Sequence, residues 1–239
     1  TGMMKKLLFI FFLLPLYSAA QTVSAYIQSG NTKAGAKQYQ EAIADFTKAI
    51  QQDNTNPEVF FYRANAYSNM QDYAHAIQDF TAAVELNPKF PNAYFYRGNA
   101  NNANGTYAAA VADYTQALTM GTPNADVYHY RANAKANMGN YNGAVEDFTK
   151  ALSITPNDPA LYEYRGVAKT NLGDFNGAII DYDVAAKLDP NNADLIYYRA
   201  NAKGSIGDYQ GAIADYKRAT VMNPKNAEAF MYRANAEAN

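Results

Sequence analysis

Two columns of charged residues recur along this 239-residue chain at a constant step of 34. Arginine stands at Arg63, Arg97, Arg131, Arg165, Arg199 and Arg233, and aspartate at Asp45, Asp79, Asp113, Asp147, Asp181 and Asp215. A guanidinium is a planar fork that meets a carboxylate through two parallel N–H···O bonds, so the chemistry these columns invite is structural ion pairing. In the first repeat Ser29 occupies the arginine position, while the aspartate column is filled from Asp45 onward. If each aspartate pairs with the arginine 18 residues further on, all six pairs close, from Asp45 with Arg63 to Asp215 with Arg233. Pairing 16 residues back would leave Asp45 and Arg233 single. The expectation is therefore a set of ion pairs that join each repeat to the next.

Catalytic parts are missing. His75 and His129 lie in different repeats, at different positions, with no cysteine anywhere in the chain. A zinc site, a disulfide scaffold and a thiol nucleophile are thereby excluded from the expectation. No Gly-rich loop ends in Gly-Lys-Ser/Thr, no Gly-x-Ser-x-Gly elbow occurs, and Asp181-Tyr182-Asp183 falls inside a helical pattern rather than a calcium loop. A formal net charge of −2 offers no field for gripping nucleic acid. The reading is of a non-enzymatic chain with no metal and no cofactor.

The elements that position the columns follow from the same period. Each aspartate is followed by an aromatic: Phe46, Phe80, Tyr114, Phe148, Tyr182 and Tyr216. Alanines recur at Ala42, Ala76, Ala110, Ala144, Ala178 and Ala212, and again seven residues on, from Ala49 to Ala219. In the fifth repeat Tyr162, Gly166 and Lys169 recur at helical spacing, and Leu172-Gly173-Asp174-Phe175 then breaks the pattern. Gly173 supplies a left-handed C-cap, Asp174 an N-cap, and Pro190 ends the second helix. A hairpin with one small-residue face cannot bury its aromatic alone. Hairpins must stack, which makes the fold all-α and solenoidal. Full repeats run 23–56, 57–90, 91–124, 125–158, 159–192 and 193–226, followed by a half repeat, 227–239.

The pattern resembles the tetratricopeptide repeat family. In the fourth repeat the match reads Tyr128, Ala132, Gly139, Tyr141, Ala144, Phe148, Ala151 and Pro156. Departures fall at helix ends, with Lys37 for the turn glycine, Asn54 for the proline, and Thr122 ahead of a proline one place late. The resemblance implies a right-handed α-solenoid of stacked antiparallel helix hairpins, with a concave surface lined by first helices. The ninth position of those helices carries Asn65, Asn99, Asn133, Asn201 and Asn235, with Val167 interrupting. An asparagine donates and accepts at once, so such a column suits the backbone of an extended peptide, although it could equally be solvated or bonded within itself. A parallel column, Tyr62, Tyr96, Tyr130, Tyr164, Tyr198 and Tyr232, reads as packing between repeats with a contact surface where exposed. The family's basic carboxylate clamp does not carry over, because the fifth positions are Phe61, Phe95, His129, Glu163, Tyr197 and Met231.

Residues 1–22 read as a signal peptide and short leader: Lys5 and Lys6 precede an apolar run, Leu7 to Leu16, with small residues before a cut after Ala20. The expected destination is secreted, periplasmic or cell-surface, with no stable membrane span after cleavage. Asn104-Gly105-Thr106 is a glycosylation sequon in the turn of the third repeat. Two functions are expected from these features. One is a scaffold that binds protein or peptide on its concave face; the other is a subunit that stacks on copies of itself, head to tail, into an extracellular filament.

Overall fold

The computed structural model describes residues 22–121 and 124–237. The expected signal peptide, its cleavage point and the Thr122 departure lie outside the described residues. All described elements are helices: α1 (22–35), α2 (Tyr39–Gln52), α3 (Pro57–Asn69), α4 (Tyr73–Leu86), α5 (Pro91–Ala103) and α6 (Tyr107–Met120) form one compact body. A second body contains α7 (Ala125–Asn137), α8 (Tyr141–Ile154), α9 (Pro159–Asn171), α10 (Phe175–Leu188), α11 (Ala193–Ser205), α12 (Tyr209–Met222) and α13 (Ala227–Glu237). Within each body, successive helices pack as hairpins and each hairpin packs on the next.

Local chemistry sets the helix ends. Asp158 Oδ1 accepts from the amide of Ala160 ahead of Pro159, whose missing N–H costs nothing in a first turn. Leu172 closes α9, Gly173 takes φ +79°, and the Asp174 amide reaches back to the Lys169 carbonyl at 2.9 Å. Asp174 then caps α10 by accepting from Gly177. In the first body Lys37 and Gln71 hold the same left-handed turn at φ 62° and 61° without glycine.

The core is the aromatic column. Phe46, Phe80, Tyr114, Phe148, Tyr182 and Tyr216 are all buried, as are the alanines at Ala42, Ala76, Ala110, Ala144, Ala178 and Ala212. Phe148 packs with Ala132, Ala144, Ala151, Leu152, Leu161 and Ala168, so its ring joins α7, α8 and α9. Burial of such a ring contributes about 2–3 kcal/mol. The helices approach closely enough that a Cβ added at Gly166 would lie 2.7 Å from Tyr182 Cε1.

Candidate functional site

The charged columns meet, but not in the register the sequence suggested. Arg63 gives Nε to Asp79 Oδ2 and Nη2 to Asp79 Oδ1, both at 2.7 Å, and Asp79 lies 16 residues on in the same repeat. The same fork recurs in Arg97–Asp113, Arg131–Asp147, Arg165–Asp181 and Arg199–Asp215. The expected 18-residue pairs, from Asp45–Arg63 through Asp215–Arg233, are therefore corrected to pairs inside a hairpin. The link to the preceding repeat runs through the third guanidinium nitrogen. Arg63 Nη1 donates to Thr47 Oγ1, Arg97 to Thr81 and Arg165 to Thr149, at 3.0–3.1 Å, while Arg199 Nη1 donates to Asp183 at 2.6 Å.

The chain ends explain the wrong register. Asp45 is not single, because Lys33 Nζ at 2.5 Å and Ser29 Oγ at 2.6 Å take the place of an arginine. Arg233 lies 3.4 Å from Glu237 instead of an aspartate. Sequence reasoning missed the lysines: Lys135, Lys169 and Lys203 add a second cation to Asp147, Asp181 and Asp215 at 2.7–2.8 Å, and at the same position the neutral Asn101 amide donates to Asp113 at 2.9 Å. Their spacing from Lys33, in multiples of 34, was the available signal. Burial works to raise the Asp147 carboxyl, but the hydrogen bonds and charges of Arg131 and Lys135 outweigh it and hold it below the usual range. For Asp45 the hydrogen bonds from Lys33 and Ser29 act in the same direction.

The asparagine column is split by what lies behind it. Asn99 Oδ1 accepts from the Tyr114 hydroxyl at 2.7 Å, and Asn201 Oδ1 from Tyr216 at 2.5 Å. Each amide is thus anchored through its oxygen, and Asn201 also hydrogen-bonds the Tyr197 hydroxyl of its own helix. Behind Asn65 stands Phe80, with no hydroxyl, and Asn65 turns its amide onto the Phe61 carbonyl of its own helix. In the repeat where Val167 replaces the asparagine, the Tyr182 hydroxyl meets Thr170 Oγ1 at 3.3 Å instead. Asn133 is half-buried and Asn235 exposed. Tyrosine in the core column and asparagine at the ninth position therefore act as partners, a coupling visible only once α5 and α6, or α11 and α12, are packed.

The tyrosine column both packs and faces outward. Tyr96 stacks on Phe80, Tyr164 on Phe148 and Tyr232 on Tyr216, with interplanar angles of 15–20°. Each of the three nevertheless stays 40–42% exposed. In the second body Asn201 and Asn235 come together with Gly204, Ser205, Tyr209, Tyr216, Tyr232 and Ala236 around a hollow of about 450 Å³. Beside this face His129 is held between Tyr130 and Tyr164, at 5.2 Å from each ring, with Nε2 buried and unpartnered. Burial lowers its pKa, which Asp158 and Asp126 only partly oppose. Glu163, also half-buried, has its pKa raised by burial and by Asp194 and Asp189. By contrast His75 is exposed against Asp72 and Tyr67. Asn104 is exposed at the end of α5, and the Thr106 hydroxyl of its sequon donates to Asn101. Among the described residues no group of three or more His, Cys, Asp or Glu could hold a metal ion, and no helix is long and apolar enough to cross a membrane.

Helical hairpins stacked through a shared aromatic column define an α-solenoid repeat protein. Sequence profiles described as "Tetratricopeptide repeat" match residues 61–125, 197–239 and 125–158, and one described as "TPR repeat" matches residues 30–71. The chain belongs to the tetratricopeptide repeat family. No curated protein matches it significantly. Among solved structures it is similar to the C-terminal part of a TPR repeat-containing protein from Cytophaga hutchinsonii, with 22% identity, a TM-score of 0.78, and 89% of this chain and 88% of that one covered. It is also similar to YrrB, described as a TPR protein with an unusual peptide-binding site, at 21% identity and a TM-score of 0.71, over 79% of this chain and 97% of that one. A MamA structure matches at 24% identity and a TM-score of 0.69, over 73% and 96%. Identities this low speak for the fold alone.

Proposed function

We propose that the protein is a non-enzymatic scaffold that binds a protein or peptide on the face formed by its first helices. The observation that carries this reading is the hollow of about 450 Å³ where Asn201, Asn235 and Tyr232 converge. Its volume lies within the range of ligand clefts, and it combines an exposed ring with amide groups suited to peptide backbone. YrrB is described as a TPR protein with an unusual peptide-binding site, which favours the same class of partner. The test is selection from a displayed library of unstructured peptides. Enrichment on the wild-type chain and its loss in a Tyr232→Ala, Asn235→Ala variant are expected; equal enrichment on both would remove this reading.

A second reading is self-association into a filament, favoured by Phe230 and Met231, which lie 42% and 52% exposed on α13. Sedimentation of the wild type beside Met231→Lys tests it, with concentration-dependent growth in the wild type alone as the expected result. Export to the periplasm, cell surface or medium rests on the apolar run Leu7–Leu16 and is tested by N-terminal sequencing, Gln21 being the expected first residue.

A further inference from the structure

On α7, α9 and α11 every lysine and arginine is engaged on one side of the helix. Arg131 and Lys135 close on Asp147, Arg165 and Lys169 on Asp181, and Arg199 and Lys203 on Asp215. The opposite face of α7, α9, α11 and α13 carries Asp126, Glu163, Asp194 and Glu228 at its second and fifth positions, and no lysine or arginine at its second, fifth or ninth. Three of these acids sit in a first helical turn, where a negative charge complements the helix dipole. Glu163 has no such reason to be there.

Glu163 is the fifth residue of α9, half-buried, with no hydrogen bond or ion pair among the described residues. Its electrostatic neighbours are two acids, Asp194 and Asp189, and the hydroxyls of Tyr182 and Tyr198. A half-buried carboxylate among acids opposes folding unless something else gains from it. The adjoining surface is aromatic: Tyr164 is 40% exposed and stacked on His129. Burial disfavours the charged form of that histidine, so it brings no compensating charge at neutral pH. A carboxylate without a counterion beside partly exposed tyrosine rings is complementary to an organic cation.

Resting on the peptide-binding reading above, we propose that this face takes an extended peptide bearing lysine or arginine, its cation held by Glu163 between the rings of Tyr164 and Tyr198. A divalent metal ion lacks a ligand set here. The surrounding acids raise the local concentration of a cationic partner and make its capture fall with ionic strength.

The experiment is fluorescence anisotropy of the full chain with three labelled peptides of one length, differing only in whether the same positions carry arginine, glutamine or glutamate. Wild type, Glu163→Gln and Glu146→Gln are compared, since Glu146 is an exposed acid on α8 and its loss changes the net charge equally. The arginine peptide is expected to bind, the glutamate peptide not to bind, and Glu163→Gln to weaken the arginine peptide about five- to tenfold while Glu146→Gln leaves it unchanged. Thermal melting of Glu163→Gln at or above the wild-type temperature is expected as well, because the variant removes an unfavourable charge. Equal effects of the two variants, or a melting temperature lowered by Glu163→Gln, would overturn the assignment of the cation to Glu163. Equal binding of the arginine and glutamine peptides would overturn the cationic partner and leave the peptide-binding reading standing. Binding of none of the three would overturn both.

Discussion

The register of the Arg–Asp network can be measured directly, with Asp147 as the reference. Its side chain is 1% exposed and receives Arg131 Nε at 2.8 Å, Arg131 Nη2 at 2.7 Å and Lys135 Nζ at 2.7 Å. Asp147→Asn removes the carboxylate on which two mostly buried cations close, and breaking one partner of such a pair costs about 3–5 kcal/mol. A double-mutant cycle then separates the two registers. Combining Asp147→Asn with Arg131→Met, 16 residues away, is expected to give a coupling of about 2–3 kcal/mol, as for a bidentate pair in which each single change strands a charge. Combining it with Arg165→Met, 18 residues away, is expected to give less than about 0.5 kcal/mol, because Arg165 reaches Thr149 and Asp181 instead. Urea denaturation followed by circular dichroism supplies all the terms. A coupling to Arg165 equal to or larger than that to Arg131 would refute the in-repeat pairing. The same carboxyl sets an acid limit. Its folded pKa lies below the usual range, so its contribution is present above about pH 4, the unfolded value, and is lost as pH falls through the folded one. Asp147→Asn should flatten that part of the acid profile.

Two further outcomes follow from single residues. Gln71 holds φ 61° without glycine, and Gln71→Gly is expected to raise stability by about 1 kcal/mol, read as a higher melting temperature; a lower one would mean that its side chain matters more than its backbone. His129, packed against Tyr130, Tyr164 and Phe148 and facing Asp126 and Asp158, has its pKa lowered by burial. The unfolded chain therefore binds the proton first, and stability should fall as pH drops below about 6.5. His129→Phe should lose less on going from pH 7 to pH 5 than the wild type, and an unchanged difference would show that other groups govern this range.

The helical hairpin was legible because it is written locally. Gly173 and Asp174 punctuate the turn, Pro190 stops the second helix, and alanines at constant spacing mark the faces that approach. The candidate face was legible only as columns of residue types. Asn99 and Asn201 look identical to Asn65 in sequence, yet the first two are anchored by tyrosine hydroxyls and the third folds back on its own helix. That difference depends on a residue fifteen positions away on another helix, which no local pattern encodes.

By itself the sequence determined the period, the two-helix repeat and the stacking of hairpins, because those follow from short-range periodicity and from a small-residue face that one hairpin cannot bury alone. Only the tertiary structure decided which arginine meets which aspartate. Registers of 16 and 18 residues are equally compatible with a 34-residue repeat, and the choice rests on the direction in which each side chain leaves its helix. Packing also let Lys33 and Ser29 serve Asp45 where an arginine is missing, and it left Glu163 without a partner on the face where we expect a ligand.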